Sequence, residues 1–346
     1  MPSPITLSSR GCRAPPEPAT GAGDGRGRAG RRDGAAVSRA QRIGVLAAIG
    51  TELLYGCSFV FTKSVTGTID PFTLLGWRFV TAFVAMVVLI ALRVIRVRIT
   101  VATLRPLLIL AAFQPLIYYV GETFGVMRTT ASESGLIISA VPVAIVITSA
   151  LILGTRPSRR QVLGVGVTLV GVVVTVAAKG LSADFNVLGY VLLVVAVASY
   201  ALYAAFAERF AESTSDVDKT FAMVATGALV FGTIAVGEHA AQGTLSALVR
   251  LPVDRPDFAV AVVYLALGST IGAFFLQNVA IGRLGSTRYS TFVGLTTVTT
   301  LVTSALALGE MLSPAQLAGG AAILAGVYLA NRAAREPAQL GAGGSG

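Results

Sequence analysis

Between residues 132 and 153 the chain reads Ser132-Glu-Ser-Gly-Leu-Ile-Ile-Ser-Ala-Val-Pro-Val-Ala-Ile-Val-Ile-Thr-Ser-Ala-Leu-Ile-Leu153. After Glu133 no charge follows until Arg156, and about 20 mostly apolar residues are what a helix needs to cross a bilayer. The end of this stretch returns later. A shift of 155 residues lays Thr148-Ser-Ala-Leu151 on Thr303-Ser-Ala-Leu306, and Leu153-Gly154 on Leu308-Gly309. In the same register Gln161 falls on Gln316, Gly164 on Gly319, Leu169 on Leu324, Gly171-Val172 on Gly326-Val327, and Arg128 on Arg283. Matches among Ala, Leu and Val arise easily by chance, but Gln and three Gly positions held in one register mark an internal duplication.

Working outward, similar apolar runs bounded by charge or turn residues predict ten helices. They lie near Ile43 to Lys63, Pro71 to Leu92, Pro106 to Val126, Ser132 to Leu153 and Gln161 to Ala178. The second set lies near Val187 to Ala207, Lys219 to Gly237, Phe258 to Ile281, Thr287 to Gly309 and Ala315 to Asn331. Composition agrees: 54% of the 346 residues are hydrophobic and 13% charged, about half the charge typical of soluble domains. The expected fold is therefore an all-α membrane protein of ten transmembrane helices. Residues 43–178 form a first five-helix repeat and 187–331 a second. An odd number of helices per half makes the two repeats inverted, the plan of many secondary transporters, whose substrate site lies near the midplane between the halves.

Residues 1–42, rich in Gly, Pro, Ala and Arg, are expected to be a disordered tail without a secretory signal, and 332–346 a loose C-terminal tail. The formal charge of +10 lies mainly in the N-terminal tail and in short loops. With no nucleic-acid motif beside it, this charge reads as orientation information. The loops bearing Arg93, Arg96, Arg98, Arg156, Arg159, Arg160 and Arg209 fall on one side when both termini are cytoplasmic. Cys12 and Cys57 have no evident disulfide or metal partner, and His239, the only histidine, is expected in a loop. There is no phosphate-binding loop and no zinc-type His-Glu-x-x-His site, so neither a cofactor, a metal nor a catalytic set is expected.

Tyr55-Gly-Cys-Ser-Phe-Val-Phe-Thr-Lys63 followed by Pro71-Phe-Thr-Leu-Leu-Gly-Trp-Arg-Phe79 resembles the first two helices of EamA-type members of the drug/metabolite transporter superfamily. Glu122-Thr-Phe-Gly-Val-Met-Arg-Thr-Thr-Ala-Ser132 with Ala140-Val-Pro-Val143 is similar to the third and fourth. Leu306-Ala-Leu-Gly-Glu310 with Gln316 and Gly319 resembles the turn between the ninth and tenth. The chain departs from the family pattern at Gly154-Thr155, where a Gly-Glu pair is usual, and at Thr297, which stands opposite Pro142 where a proline is expected. The resemblance implies a ten-helix transporter in the inner cell membrane, often an exporter of amino acids or other small metabolites driven by ion gradients or exchange. Its partners would be a small-molecule substrate, membrane lipids and a second copy in a homodimer, with no nucleic acid. The rival reading is a membrane protein that moves no solute, such as a lipid scramblase or a regulatory partner.

An ionisable group within a bilayer costs several kcal/mol, so each one needs a reason. Glu52 lies mid-way along the first predicted helix with Tyr55, Gly56, Phe59 and Lys63 following at helical spacing. This face suits a proton or cation site, or a structural carboxylate bonded to a neighbour. Glu122, with Tyr118 and Tyr119 one turn before it and Gln114 two, suits a substrate ammonium or an ion pair with Arg78 or Lys63. Tyr200 and Tyr203 repeat the spacing of Glu52 and Tyr55, and Gln277 and Asn278 favour a cavity over lipid. Glu52, Tyr55, Tyr118, Glu122, Tyr200, Tyr203, Gln277 and Asn278 are thus the candidate binding residues, and Lys63 and Arg78 a charge network. The stripe Thr296, Thr299, Thr300 and Thr303 reads as helix packing, and Glu310 is expected to be solvated at an outer helix end.

Overall fold

The computed structural model describes residues 39–152, 154, 158–178 and 186–333, and these residues are helical with no strand. Helices α1 (Arg39–Thr66), α2 (Pro71–Ala91), α3 (Val101–Arg128), α4 (Ala131–Ile152) and α5 (Arg159–Ala177) make the first set. Helices α6 (Val187–Arg209), α7 (Asp216–Ala241), the short α8 (Leu245–Asp254), α9 (Pro256–Leu284), α10 (Ser286–Leu308) and α11 (Pro314–Ala333) make the second. Among the described residues nine helices are long and apolar enough to cross a membrane, and α11 adds a shorter apolar stretch, Pro314–Leu329. The protein is a multi-pass membrane protein.

Each predicted segment coincides with one of these helices, the short α8 is an additional helix that the apolar runs do not predict, and three further details differ. Helix begins at Arg39 and continues to Ala333, so the predicted tails 1–42 and 332–346 are shorter where they are described. The rest of both tails lies outside the described residues. Ala40 and Gln41 are good helix formers, and Arg39 and Arg42 can extend their charges past the helix end. His239 sits in the last turn of α7 rather than in a loop. Its ring bridges the hydroxyls of Thr73 (3.1 Å) and Thr244 (2.7 Å), tying α7 to α2 and to the turn before α8.

The 155-residue register has a physical basis at its Gln and Gly positions. Ser158 and Gln161 form a capping box at the start of α5, with Gln161 Oε1 accepting from the Ser158 N–H at 2.7 Å and the Ser158 hydroxyl accepting from the Gln161 N–H at 3.3 Å. Ser313 and Gln316 form the same box before α11, at 2.9 and 3.2 Å. Each box satisfies two amides that the helix itself leaves unpaired. Gly154 and Gly309 follow α4 and α10 with φ of +68° and +65°, a left-handed conformation that favours glycine.

The register also governs how α5 meets α11. A Cβ on Gly171 would lie 2.6 Å from Ile323 N and 2.7 Å from Gly319 O, and one on Gly326 would lie 2.6 Å from both Gly164 O and Thr168 N. Gly171 therefore faces Gly319, the counterpart of Gly164, while Gly164 faces Gly326, the counterpart of Gly171. The contact is reciprocal, as across a two-fold axis, and the order of the partners makes the two helices antiparallel. Small residues bring the backbones together where lipid offers no hydrophobic drive for helix association. The outer faces of the pair carry exposed Leu163, Val170, Val173 and Leu317, as a lipid-facing surface requires.

Candidate functional site

The third membrane-crossing helix of each set departs from regular α geometry: α3 is kinked within Ala112–Ile117, and α9 widens into a π-helix over Tyr264–Gly272. Shifted by 155 residues, the first falls on 267–272, inside the second. Wider π turns free backbone groups and re-aim side chains, which is why they recur at functional sites. In α3 the interruption places Gln114 in an extended conformation (φ −137°, ψ 113°) next to Pro115. Its side chain turns inward and closes a ring with α1 and α9. Gln114 Nε2 donates to the Tyr55 hydroxyl at 3.2 Å, that hydroxyl donates to Gln277 Oε1 at 2.5 Å, and Gln277 Nε2 donates to Gln114 Oε1 at 3.3 Å.

In α9 the π-helical segment presents Ser269 and Thr270 to Arg78 of α2. Arg78 is 1% exposed. Its guanidinium donates from Nε to the Thr270 hydroxyl at 2.7 Å, and from Nη2 to the hydroxyls of Ser269 at 2.9 Å and Tyr119 at 3.0 Å. The Tyr119 ring lies beneath it, 4.2 Å from the guanidinium carbon. All of its hydrogen-bond partners are neutral. The direct ion pair with Glu122, one of the alternatives the sequence left open, does not form among the described residues. Glu122, 1% exposed, accepts instead from the Thr123 hydroxyl at 3.0 Å and stays within electrostatic range of Arg78.

Glu52, 2% exposed, faces α10. The Thr296 hydroxyl donates to its Oε2 in a short hydrogen bond and approaches its backbone carbonyl at 3.1 Å, while Oε1 has no hydrogen-bond partner among the described residues. Tyr289 is the next polar group beside this carboxyl, and its hydroxyl shares a 2.9 Å hydrogen bond with Tyr200. Tyr203 donates to Asn278 Oδ1 at 2.8 Å, and Asn278 Nδ2 donates in turn to Thr220 at 3.3 Å. The rings of Tyr118, Tyr119, Tyr200 and Tyr203 run together with neighbouring centroids 4.9 to 6.1 Å apart. A Cβ on Gly56 would lie 2.5 Å from Thr299 Cβ and 2.9 Å from Thr296 O, so α10 packs directly against the backbone of α1 there.

Nine of the ten sequence candidates therefore sit in one buried polar and aromatic cluster. The Lys63 ammonium donates to the carbonyls of Val126 and Met127, at 3.1 and 3.2 Å, and in a short hydrogen bond to that of Thr129, closing the C-terminal end of α3. The threonine stripe divides. Thr303 back-bonds to Thr299 O as a packing residue does, whereas Thr296 binds Glu52. Glu310 is not left to water: its two carboxylate oxygens accept the N–H groups of Ala131 (3.1 Å) and Ser132 (2.8 Å), capping α4. Ser286, the counterpart of Ala131 one register on, is capped by Glu208, which accepts its N–H at 2.9 Å and also its hydroxyl. Caps of this kind contribute about 1–2 kcal/mol each. Thr155, which stands where the Gly-Glu pair is usual, lies outside the described residues.

Sequence reading missed Ser269, Thr270 and Tyr289, and named Gln114 without placing it in the site. The duplication held the signal for two of them, because Gln114 falls on Ser269 and Glu122 on Gln277 in the 155-residue register.

The sequence profile of the EamA-like transporter family matches the chain twice, over residues 42–177 and 187–332. The protein belongs to the EamA-like transporter family. Its EamA unit is duplicated, as the internal register implies. It is 30% identical to the Bacillus subtilis protein named "Uncharacterized transporter YcxC", over 85% of this chain and 95% of that one. A probable terminal-alkyne amino-acid exporter of Streptantibioticus cattleyicolor is 29% identical over 62% of this chain and 69% of its own length. A probable amino-acid metabolite efflux pump of Salmonella typhimurium is 25% identical over 52% and 60%. A crystal structure aligned with a TM-score of 0.58 at 19% identity, covering 83% of this chain and 97% of that one, shares the fold.

Proposed function

We propose that this EamA-like transporter is a secondary active exporter of a small metabolite such as an amino acid, working by alternating access between two inverted five-helix halves, residues 43–178 and 187–331. It is not an enzyme, and it resides in the inner cell membrane with both termini cytoplasmic. The observation that carries this reading is the buried cluster between the interrupted helices α3 and α9. There Glu52, Arg78 and Glu122 are buried beside the kink of α3 and the π-helical turn of α9, which suits a substrate site between two repeats. The reciprocal contact between α5 and α11 supports inversion, since antiparallel counterparts meeting about a two-fold axis place that axis in the membrane plane. The relatives named as exporters of amino acids or their metabolites support the substrate class.

A lipid scramblase would carry its polar residues along a groove open to lipid, whereas those of this cluster are almost wholly enclosed. Proteoliposomes loaded with a mixture of amino acids should release a subset of them in a protein-dependent way, without accelerating exchange of labelled lipid between leaflets. Lipid exchange without solute release would replace transport with scrambling.

Orientation has its own test. With Cys12 and Cys57 replaced by Ser, Ser213→Cys between α6 and α7 and Ser246→Cys in α8, both at exposed positions, should react with an impermeant thiol reagent from opposite sides, the first from the cytoplasm. Labelling of both from one side would refute the topology.

A further inference from the structure

The buried charges impose a requirement on whatever enters between them. The Arg78 guanidinium has five N–H donors; three are taken up by Ser269, Thr270 and Tyr119, and Nη1 makes no hydrogen bond among the described residues. Hydroxyl groups solvate a cation but do not neutralise it. Because Arg78 reaches the hydroxyl of Tyr119, it lies against the face of α3 that carries Glu122 three residues on, and three residues along a helix are neighbours on one face. Glu122 offers one carboxylate oxygen to Thr123 and the other to no donor among the described residues. An unfilled cation and an unfilled carboxylate thus share one side of the cluster. Glu52 faces the opposite partner, α10, through Thr296.

We infer that Arg78 and Glu122 are the two ends of a single substrate site for a zwitterion, Arg78 Nη1 taking the substrate carboxylate and Glu122 its ammonium. The inference rests on the transport reading above and adds the substrate's charge pattern and orientation to it. A zwitterion brings no net charge into a low-dielectric site, whereas a free amine or a free carboxylate brings one, and an uncompensated charge there is costly. Ser269 and Thr270 are positioning residues: they hold the guanidinium in place through Nε and Nη2 and leave Nη1 directed at the ligand. Glu52, set apart on the α10 side, remains available to carry a coupling proton.

Efflux from proteoliposomes containing the full chain tests this with L-threonine, L-leucine and L-phenylalanine against their amides and their deaminated acids. Wild type should prefer an amino acid over its amide by about tenfold or more, the effect of roughly 1.4 kcal/mol. In Arg78→Gln that preference should fall to near one while discrimination against the deaminated acid survives, and Glu122→Gln should show the reverse pattern. Retention of the tenfold preference in a folded Arg78→Gln protein would overturn the assignment and leave transport intact. Should Arg78→Gln fail to fold, inhibition of wild-type efflux decides: amides that compete as well as the amino acids overturn the assignment, and amides at least tenfold weaker support it. Failure of wild type to move any amino acid would overturn this inference, and only the absence of protein-dependent flux of every solute tried would sink the transport reading itself.

Discussion

Glu52→Gln should leave the protein inserted and folded yet abolish flux driven by a pH gradient, while exchange of substrate across the membrane continues. The substitution keeps the volume of the side chain and one carbonyl oxygen, so the Thr296 hydroxyl retains its acceptor. The new amide nitrogen takes the place of a carboxylate oxygen, for instance at Oε1, which has no hydrogen-bond partner among the described residues, beside the Tyr289 hydroxyl. Packing therefore changes little. What disappears is a titratable group in the middle of the bundle, and net proton movement needs one, whereas exchange does not. A structural carboxylate predicts another pattern, in which yield or thermal stability falls and the surviving protein still responds to pH. Normal pH-driven flux in a folded Glu52→Gln protein would remove Glu52 as the coupling residue and leave Glu122 to take the role.

Gly171→Leu should prevent stable folding, and Gly166→Leu, five residues away on the same helix, should be close to neutral. The two glycines differ only in what surrounds them. A Cβ on Gly171 would meet the backbone of α11 at 2.6 and 2.7 Å, while one on Gly166 has nothing within 4 Å and would face lipid. Overpacking a core costs about 1–3 kcal/mol when side chains can shift, and a helix backbone held by its own hydrogen bonds yields less readily. The added bulk would have to separate α5 from α11 along the whole seam. Thermal stability in detergent, followed by monodispersity, reads the difference. Equal stability of the two variants would contradict the packing described between α5 and α11.

Much of this architecture was legible because the bilayer constrains sequence strongly. A spanning segment must be apolar for about 20 residues and must satisfy its backbone internally, so Ser132 to Leu153 could be read almost directly. The register was legible because its residues perform local tasks: Gln161 and Gln316 close capping boxes, and Gly154 and Gly309 turn the chain with positive φ. Glu52, Arg78 and Glu122 stood out because charge within apolar runs is rare. Their partners did not, since Ser269, Thr270 and Thr296 are small hydroxyls of a kind found in any membrane helix. The interruptions of α3 and α9 were also hidden. Pro115 marks one, but the second lies in Tyr264–Gly272, where no proline occurs, and only the duplication links the two. Glu310 misled because its partners are backbone amides at a helix end, which sequence presents as anonymous.

In the proposed transport cycle the buried cluster between α3 and α9 opens to each side of the membrane in turn. Gln114→Cys, in a chain with Cys12 and Cys57 replaced by Ser, places one thiol on the interrupted segment of α3 that faces Tyr55 and Gln277. An impermeant thiol reagent should modify it when added from either side of the membrane, and a transported amino acid should change both rates. A thiol that reacts from one side only, or from neither, would contradict alternating access through this cluster.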